Sequence, residues 1–265
     1  MATAPWAWNN KSAKMGRTMA VDTESKWFRR YASQAAPRRR LLILPHAGGS
    51  AGYFHTWGHR FDADTEVLVA KYPGRQERIV EPCIESMGAL ADAVTAALLP
   101  FLDVPVSLFG HSMGASLAYE VALRLEDLHG VRLEALYASC RKAPHRVTPK
   151  ALDVADDEAI IRQVQRLGGT DIGLLDDPDL RDLVMPAIRA DFRIVKEYEP
   201  RPATPLSCPI VGYLGDQDRD VSTADMWAWA DVTTRGFDLR VLPGGHFYLA
   251  EERHTVIADL VRRMA

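Results

Sequence analysis

Apolar residues along this chain fall into short unbroken runs, separated by longer stretches where they recur at helical spacing. Leu41 to Leu44 follows a basic stretch and precedes Pro45 and a glycine pair. Glu66 to Ala70 ends at Tyr72-Pro73-Gly74, and Val104 to Phe109 leads into Gly110. Leu133 to Ala138, Pro209 to Leu214 and Leu239 to Leu242 complete the set. Continuous runs of this length suit parallel strands buried on both faces. Between them, Met87 to Leu102 is rich in alanine and leucine. Ser112 to Leu125 carries Leu117, Val121 and Leu125 on one side, and Thr255 to Met264 closes the chain as a third helix. Strand-helix alternation predicts an α/β fold, a doubly wound and mostly parallel sheet.

The alternation fails from about 144 to 205, where no convincing strand occurs. Asp157 to Leu167 sets Ile160, Ile161, Val164 and Leu167 on one helical face, and Gly168-Gly169 supplies a stop. Asp177-Pro178 reads as an N-cap followed by proline at the first helical position. The next helix carries Leu180, Leu183, Val184, Ile188, Phe192 and Val195, with a kink or break expected at Pro186. These helices either cover the sheet or form an inserted lid over a site; the lid is the favoured reading, because insertions on rigid scaffolds commonly carry function.

Composition narrows the partners. The 265 residues suit one α/β domain, and 47 % apolar with 25 % charged residues is ordinary for a soluble protein. A formal net charge of −3 argues against nucleic acid as the main partner. Cys83, Cys140 and Cys208 are odd in number and far apart, so reduced thiols in a cytoplasmic protein are expected. No apolar run approaches the roughly 20 residues of a membrane span. Residues 1–35 are expected to form an N-terminal extension, flexible to about residue 25, ahead of a domain spanning 36–264.

Gly110-His111-Ser112-Met113-Gly114 is a G-x-S-x-G pattern between a strand-like and a helix-like run, the context a nucleophilic serine requires. The serine sits on a sharp turn, and small neighbours let strand and helix approach. Met113 is expected to matter through its backbone N–H, and His111 to pack near the sheet edge without chemical work. A serine hydroxyl needs a base. In this fold the order is serine, acid, histidine. Among eight histidines, His246 is singled out because Leu242-Pro-Gly-Gly-His-Phe247 follows the last strand. Asp216, Asp218 and Asp220 compete for the acid; the pattern Gly215-x-x-Asp218-x-x-Val221 selects Asp218, leaving Asp216 to brace the turn and Asp220 to face solvent. Pro45-His-Ala-Gly-Gly-Ser50 follows the first clear strand and offers the Ala47 N–H as a second oxyanion donor beside that of Met113.

These segments, together with Tyr72-Pro-Gly-Arg-Gln-Glu-Arg78, Ala138-Ser-Cys-Arg-Lys-Ala-Pro144, Leu167-Gly-Gly-Thr170 and Pro186 to Tyr198, resemble the type II thioesterases, stand-alone editing enzymes of polyketide and non-ribosomal peptide synthesis. The resemblance spans about 36 to 264. It implies an α/β-hydrolase fold with a helical lid, Ser112, Asp218 and His246 as a catalytic triad, and Ala47 and Met113 as oxyanion donors. The implied reaction is thioester hydrolysis on the phosphopantetheine arm of acyl or peptidyl carrier proteins, with no metal or cofactor, since the pantetheine belongs to the substrate. Cys140 stands where glycine or a similarly small residue is more usual and is treated as neutral. Carrier proteins are generally acidic, so Arg75, Arg78, Arg141 and Lys142 form a candidate basic entry, with ordinary solvated charge as the alternative. A monomer or weak dimer with neither nucleic-acid nor membrane partners is expected. A medium-chain fatty-acyl-carrier-protein thioesterase and a small-molecule carboxylesterase remain rivals. A catalytically silent binding module is disfavoured by the complete triad.

Overall fold

The computed structural model describes residues 26–31, 36–148, 153–168 and 177–265. The expectations for residues 1–25 and for Gly169 and Thr170 lie outside them. A seven-stranded sheet forms the centre, in the order β1-β3-β2-β4-β5-β6-β7. Its strands are β1 (Phe28–Tyr31), β2 (Arg39–Leu44), β3 (Thr65–Ala70), β4 (Val106–His111), β5 (Leu136–Ser139), β6 (Ile210–Gly215) and β7 (Phe237–Leu242). Six strands are mutually parallel, with registers such as Leu44 to Gly110 and His111 to Ser139, while β1 pairs antiparallel to β3 with Phe28 opposite Ala70.

Burial follows the apolar runs. β3 and β4 are buried throughout, as are β5 and β6, because helices cover both faces. β7 departs from the expectation of a fully buried strand. It lies at the sheet edge with partly exposed residues. β1 corrects the N-terminal reading: residues 28–31, assigned to the extension, are part of the sheet. Four residues with two central arginines carry too little pattern to announce a strand. Phe28 and Tyr31 are buried at its ends, and the arginines are drawn to Glu77 and Glu66.

The main helices are α1 (Met87–Leu98), α2 (Met113–His129), α3 (Asp157–Leu167), α4 (Pro178–Glu197), α5 (Thr223–Trp227) and α6 (Arg253–Met264). α2 runs along the sheet and is buried along most of its length. The helical insertion lies between β5 and β6, as its sequence predicts. Asp156 caps α3 and Gly168 ends it in the left-handed region. Asp177 accepts from the N–H groups of Asp179 and Leu180 to start α4. Pro186 does not break α4, which runs unbroken for 20 residues. The insertion has its own small apolar cluster, with Ile160, Ile161, Met185 and Phe192 packing against Ala47 of the loop after β2.

Candidate active site

Strand ends of a parallel sheet form a crevice where loops converge, and three loops meet here. After β4, Ser112 adopts φ 54° and ψ −116°, a conformation unfavourable for a residue with a side chain. The strain is held by close packing on both sides. A Cβ on Gly114 would stand 2.0 Å from the Leu44 carbonyl oxygen, and one on Gly110 would stand 2.1 Å from the Gly114 oxygen. Strand and helix therefore touch backbone to backbone, and the Ser112 N–H donates to the Ser139 carbonyl at 2.8 Å. The N-terminus of α2 lies directly behind the serine, with its dipole oriented to favour negative charge.

The loops after β6 and β7 are tied together in the same manner. Asp216 N–H donates to Leu242 O at 2.8 Å, Gln217 N–H donates to Gly244 O at 2.9 Å, and the Asp216 carboxylate accepts from Gly244 N–H at 2.9 Å. A Cβ on Gly215 would meet the Gly245 oxygen at 2.3 Å, so glycine permits this approach. The result sets Asp218 Oδ2 2.8 Å from His246 Nδ1, and His246 Nε2 3.0 Å from Ser112 Oγ. Asp218 Oδ1 accepts from the N–H groups of Asp220 and Val221. Burial alone would raise the Asp218 carboxyl, but the His246 hydrogen bond and charge together with these amides hold it below the usual range. Asp216 braces the turn. Asp220 does not face open solvent; it receives Arg166 of α3 at 2.6 Å.

Neither the Ala47 nor the Met113 N–H has an acceptor among the described residues. The floor beneath His246 is aromatic and neutral. His111 is completely buried at the end of β4, a central strand, which corrects its expected place near the sheet edge. Its Nδ1 lies 2.9 Å from Ser139 Oγ, which in turn bonds Tyr248 Oη, and its ring centroid is 5.3 Å from that of His246. His46 packs edge-on against Phe247 and His111. Burial, then the His246 and Arg75 charges, lowers His46 to about 3, and burial likewise pushes His111 well down. Both side chains fold as neutral imidazoles, whereas the unfolded chain takes up protons near pH 6.5. The folded values are depressed, so this stability is complete above that pH and is lost as pH falls toward 3. At pH 5 the loss from His46 alone should be about 2 kcal/mol. Thermal melts at pH 7.5 and 5 should differ by several degrees; a flat profile would count against a neutral His46.

Cys140, expected to be a neutral replacement for glycine or a similarly small residue, occupies φ 47°, the left-handed region. This is the physical reason a glycine suits the position. Its thiol is buried beside Asp218, and burial followed by that carboxylate's charge pushes it well up, so it stays protonated.

Of the four candidate entry residues, Arg75, Arg141 and Lys142 line the cavity beside Ser112, and Arg78 does not. Arg75 is mostly covered, its side chain 11 % exposed, and pairs with Asp191 of α4 at 2.6 Å. Arg78 is 4 % exposed, pairs with Glu81 at 2.8 Å and stacks over Trp27. Arg141 lines the site and donates from Nε to Ser116 Oγ at 2.8 Å, with no carboxylate partner among the described residues. Lys142 is half-buried, its ammonium 3.6 Å from Asp225. Asp191 was missed by sequence reasoning. Its one signal was a carboxylate three residues beyond Ile188 on the apolar stripe of α4.

Ser112 and His246 open into a cavity of about 480 Å³, walled by Val164, Leu183, Val184, Ile188 and Phe192 from the insertion. The thioesterase domain family model matches residues 39–264. This chain belongs to the thioesterase domain family. The thioesterase is 40 % identical over 245 residues to Thioesterase PikA5 of Streptomyces venezuelae, covering 92 % of this chain and 87 % of that one. Among solved structures it is similar to the type II thioesterase BorB from the borrelidin biosynthetic cluster, with TM-score 0.79, 35 % identity, and coverage of 89 % of this chain and 95 % of that chain. It is also similar to RedJ, the thioesterase of the prodiginine pathway in Streptomyces coelicolor, with TM-score 0.80, 35 % identity, and 86 % and 91 % covered. No described helix of the thioesterase is long and apolar enough to cross a membrane.

Proposed function

We propose that this thioesterase hydrolyses acyl thioesters on the phosphopantetheine arm of carrier proteins, clearing aberrant acyl groups from a polyketide or non-ribosomal peptide synthase. The observation that carries the reading is the hydrogen-bonded row from Asp218 through His246 to Ser112, opening into an apolar cavity. Ser112 Oγ attacks the thioester carbonyl while His246 Nε2 takes its proton; Asp218 holds Nδ1–H and stabilises the imidazolium. The carbonyl oxygen becomes an oxyanion facing the Ala47 and Met113 amides. Its collapse breaks the C–S bond, and the pantetheine thiolate leaves with the imidazolium proton. Water then attacks the acyl-serine, His246 takes the water's proton, and a second collapse returns a proton to Ser112 and releases the acid. These steps use only the chain's own groups and water.

In the same reading α3 and α4 serve as a lid, because their apolar faces wall the space an acyl chain would occupy. The compartment is the cytoplasm, where the synthases and their carriers reside.

A panel of acyl-loaded carrier proteins followed by intact mass tests the proposal. Short and branched acyl groups should be released, and thioesters should be cleaved faster than matched oxygen esters, because a thiolate is the better leaving group. Preference for esters would favour a carboxylesterase. Release confined to medium-length straight chains would favour the fatty-acyl alternative.

A further inference from the structure

We propose that Asp191 and Arg75 form a positioning pair that orients the oxyanion loop, so that the Ala47 donor is aligned only while α4 is seated. This rests on the thioesterase reading above and adds residues to its machinery.

The relevant donor belongs to the peptide joining His46 and Ala47. Its orientation can be traced through its neighbours. The carbonyl of that same peptide accepts from Gly49 N–H at 2.9 Å, which turns the Ala47 N–H to the opposite side. The turn is fixed at both ends from outside the loop. Upstream, the buried Tyr72 hydroxyl donates to Pro45 O at 3.1 Å. Downstream, Gly48 N–H donates to Asp191 Oδ2 at 2.8 Å, and Arg75 Nη1 donates to Gly49 O at 3.0 Å. Asp191 and Arg75 are joined by two parallel bonds, at 2.6 and 2.8 Å, with Asp191 only 2 % exposed. Such a fork between a guanidinium and a carboxylate fixes direction as well as distance.

Two adjacent glycines leave the loop free to rotate its peptides if those bonds are lost. The carboxylate that prevents this comes from α4 of the insertion, more than a hundred residues away in the chain. Ala47 itself packs into the apolar cluster of Phe192, Met185 and Ile160. Polar and apolar contacts thus attach one oxyanion donor to the helical insertion. Displacing α4 would remove the acceptor of Gly48 and the partner of Arg75 together.

The test uses Asp191→Ala, Asp191→Asn, and the double variant Arg75→Gln/Asp191→Leu, which removes both charges and the acceptor together and guards against simple unfolding. Three quantities are read on the full chain: kcat and KM for an acyl-pantetheine thioester, affinity for a trifluoromethyl ketone analogue that adds to Ser112 and carries an oxyanion, and affinity for a thioether analogue that does not react. Asp191→Ala and the double variant should lower kcat about 100-fold, the effect of losing one oxyanion donor, with KM within about threefold. Ketone affinity should fall by a similar factor, thioether affinity should hold, and the hemiketal hydroxyl should titrate at higher pH by NMR. Asp191→Asn, which keeps one acceptor oxygen, should lie between. Folded variants with kcat and ketone affinity near wild type would overturn the proposal, as would parallel loss of thioether binding. If the wild type cleaves no thioester yet still forms the ketone adduct, the substrate reading fails while the ketone still reports on the pair.

Discussion

Ser112→Ala should lower kcat by about a million-fold, since removing a serine nucleophile costs as much as removing its whole hydrogen-bonded row. The protein should remain folded. The change deletes one oxygen at a partly buried site, and alanine bears the same positive φ as serine, so the turn neither gains nor loses a large strain term. Gly110 and Gly114 still permit the strand-helix contact that sets the turn. His246 keeps its bond to Asp218 and loses only the hydroxyl 3.0 Å away. Carrier-bound acyl groups should therefore persist for hours in the presence of the variant, as read by intact mass. Labelling by a fluorophosphonate should vanish at the same time. Turnover above about one per cent of wild type would show that another group makes the attack, because the oxyanion donors and substrate binding alone supply only a small residue of the rate.

Asp218→Asn should lower kcat by about ten thousand-fold with little change in KM. A carboxylate accepts only, so it fixes the proton on His246 Nδ1 and leaves Nε2 free to take the serine proton. An amide can turn its NH2 toward Nδ1 and stabilise the opposite tautomer. The geometry separates this residue from its two neighbours. Asp216→Asn disturbs a bond to Gly244 N–H and should loosen the loop, with a loss of about tenfold at most. Asp220→Asn breaks an ion pair to Arg166, whose side chain is 43 % exposed, and should change kcat by less than about threefold. The ordering Asp218 far above Asp216, with Asp220 last, is the result to look for. Equal effects at all three positions would mean that loop integrity, not the orientation of His246, is being measured.

The residues of the row were legible in the sequence because each is announced by local chemistry. Ser112 stands between small residues at a strand-helix junction, His246 follows a glycine pair after the last strand, and Asp218 lies in a spaced loop pattern. Strands β3 to β6 were legible because burial on both faces leaves few polar interruptions, and α3 and α4 because their caps and apolar stripes agree. What escaped depends on contacts between distant segments. β1 has four residues and two arginines, and it is a strand only because β3 offers an edge. Pro186 is tolerated within α4, which continues across it. Arg75 and Arg78 looked like surface charge because a guanidinium reveals its partner only in three dimensions; their carboxylates come from α4 and from three residues away. Asp191 carries no motif of its own. Its role became visible once the loop after β2 was seen leaning on it.

The state of the cysteines has a practical corollary. Cys140 and Cys208 are buried, which both shields their sulfurs and raises their thiols, Cys208 to about 12, whereas Cys83 is half-buried. Each turnover, by contrast, liberates a pantetheine sulfhydryl on a long, exposed tether. A colorimetric disulfide reagent present throughout the reaction would then register product as it forms, and of the three protein thiols only Cys83 is placed to add a background.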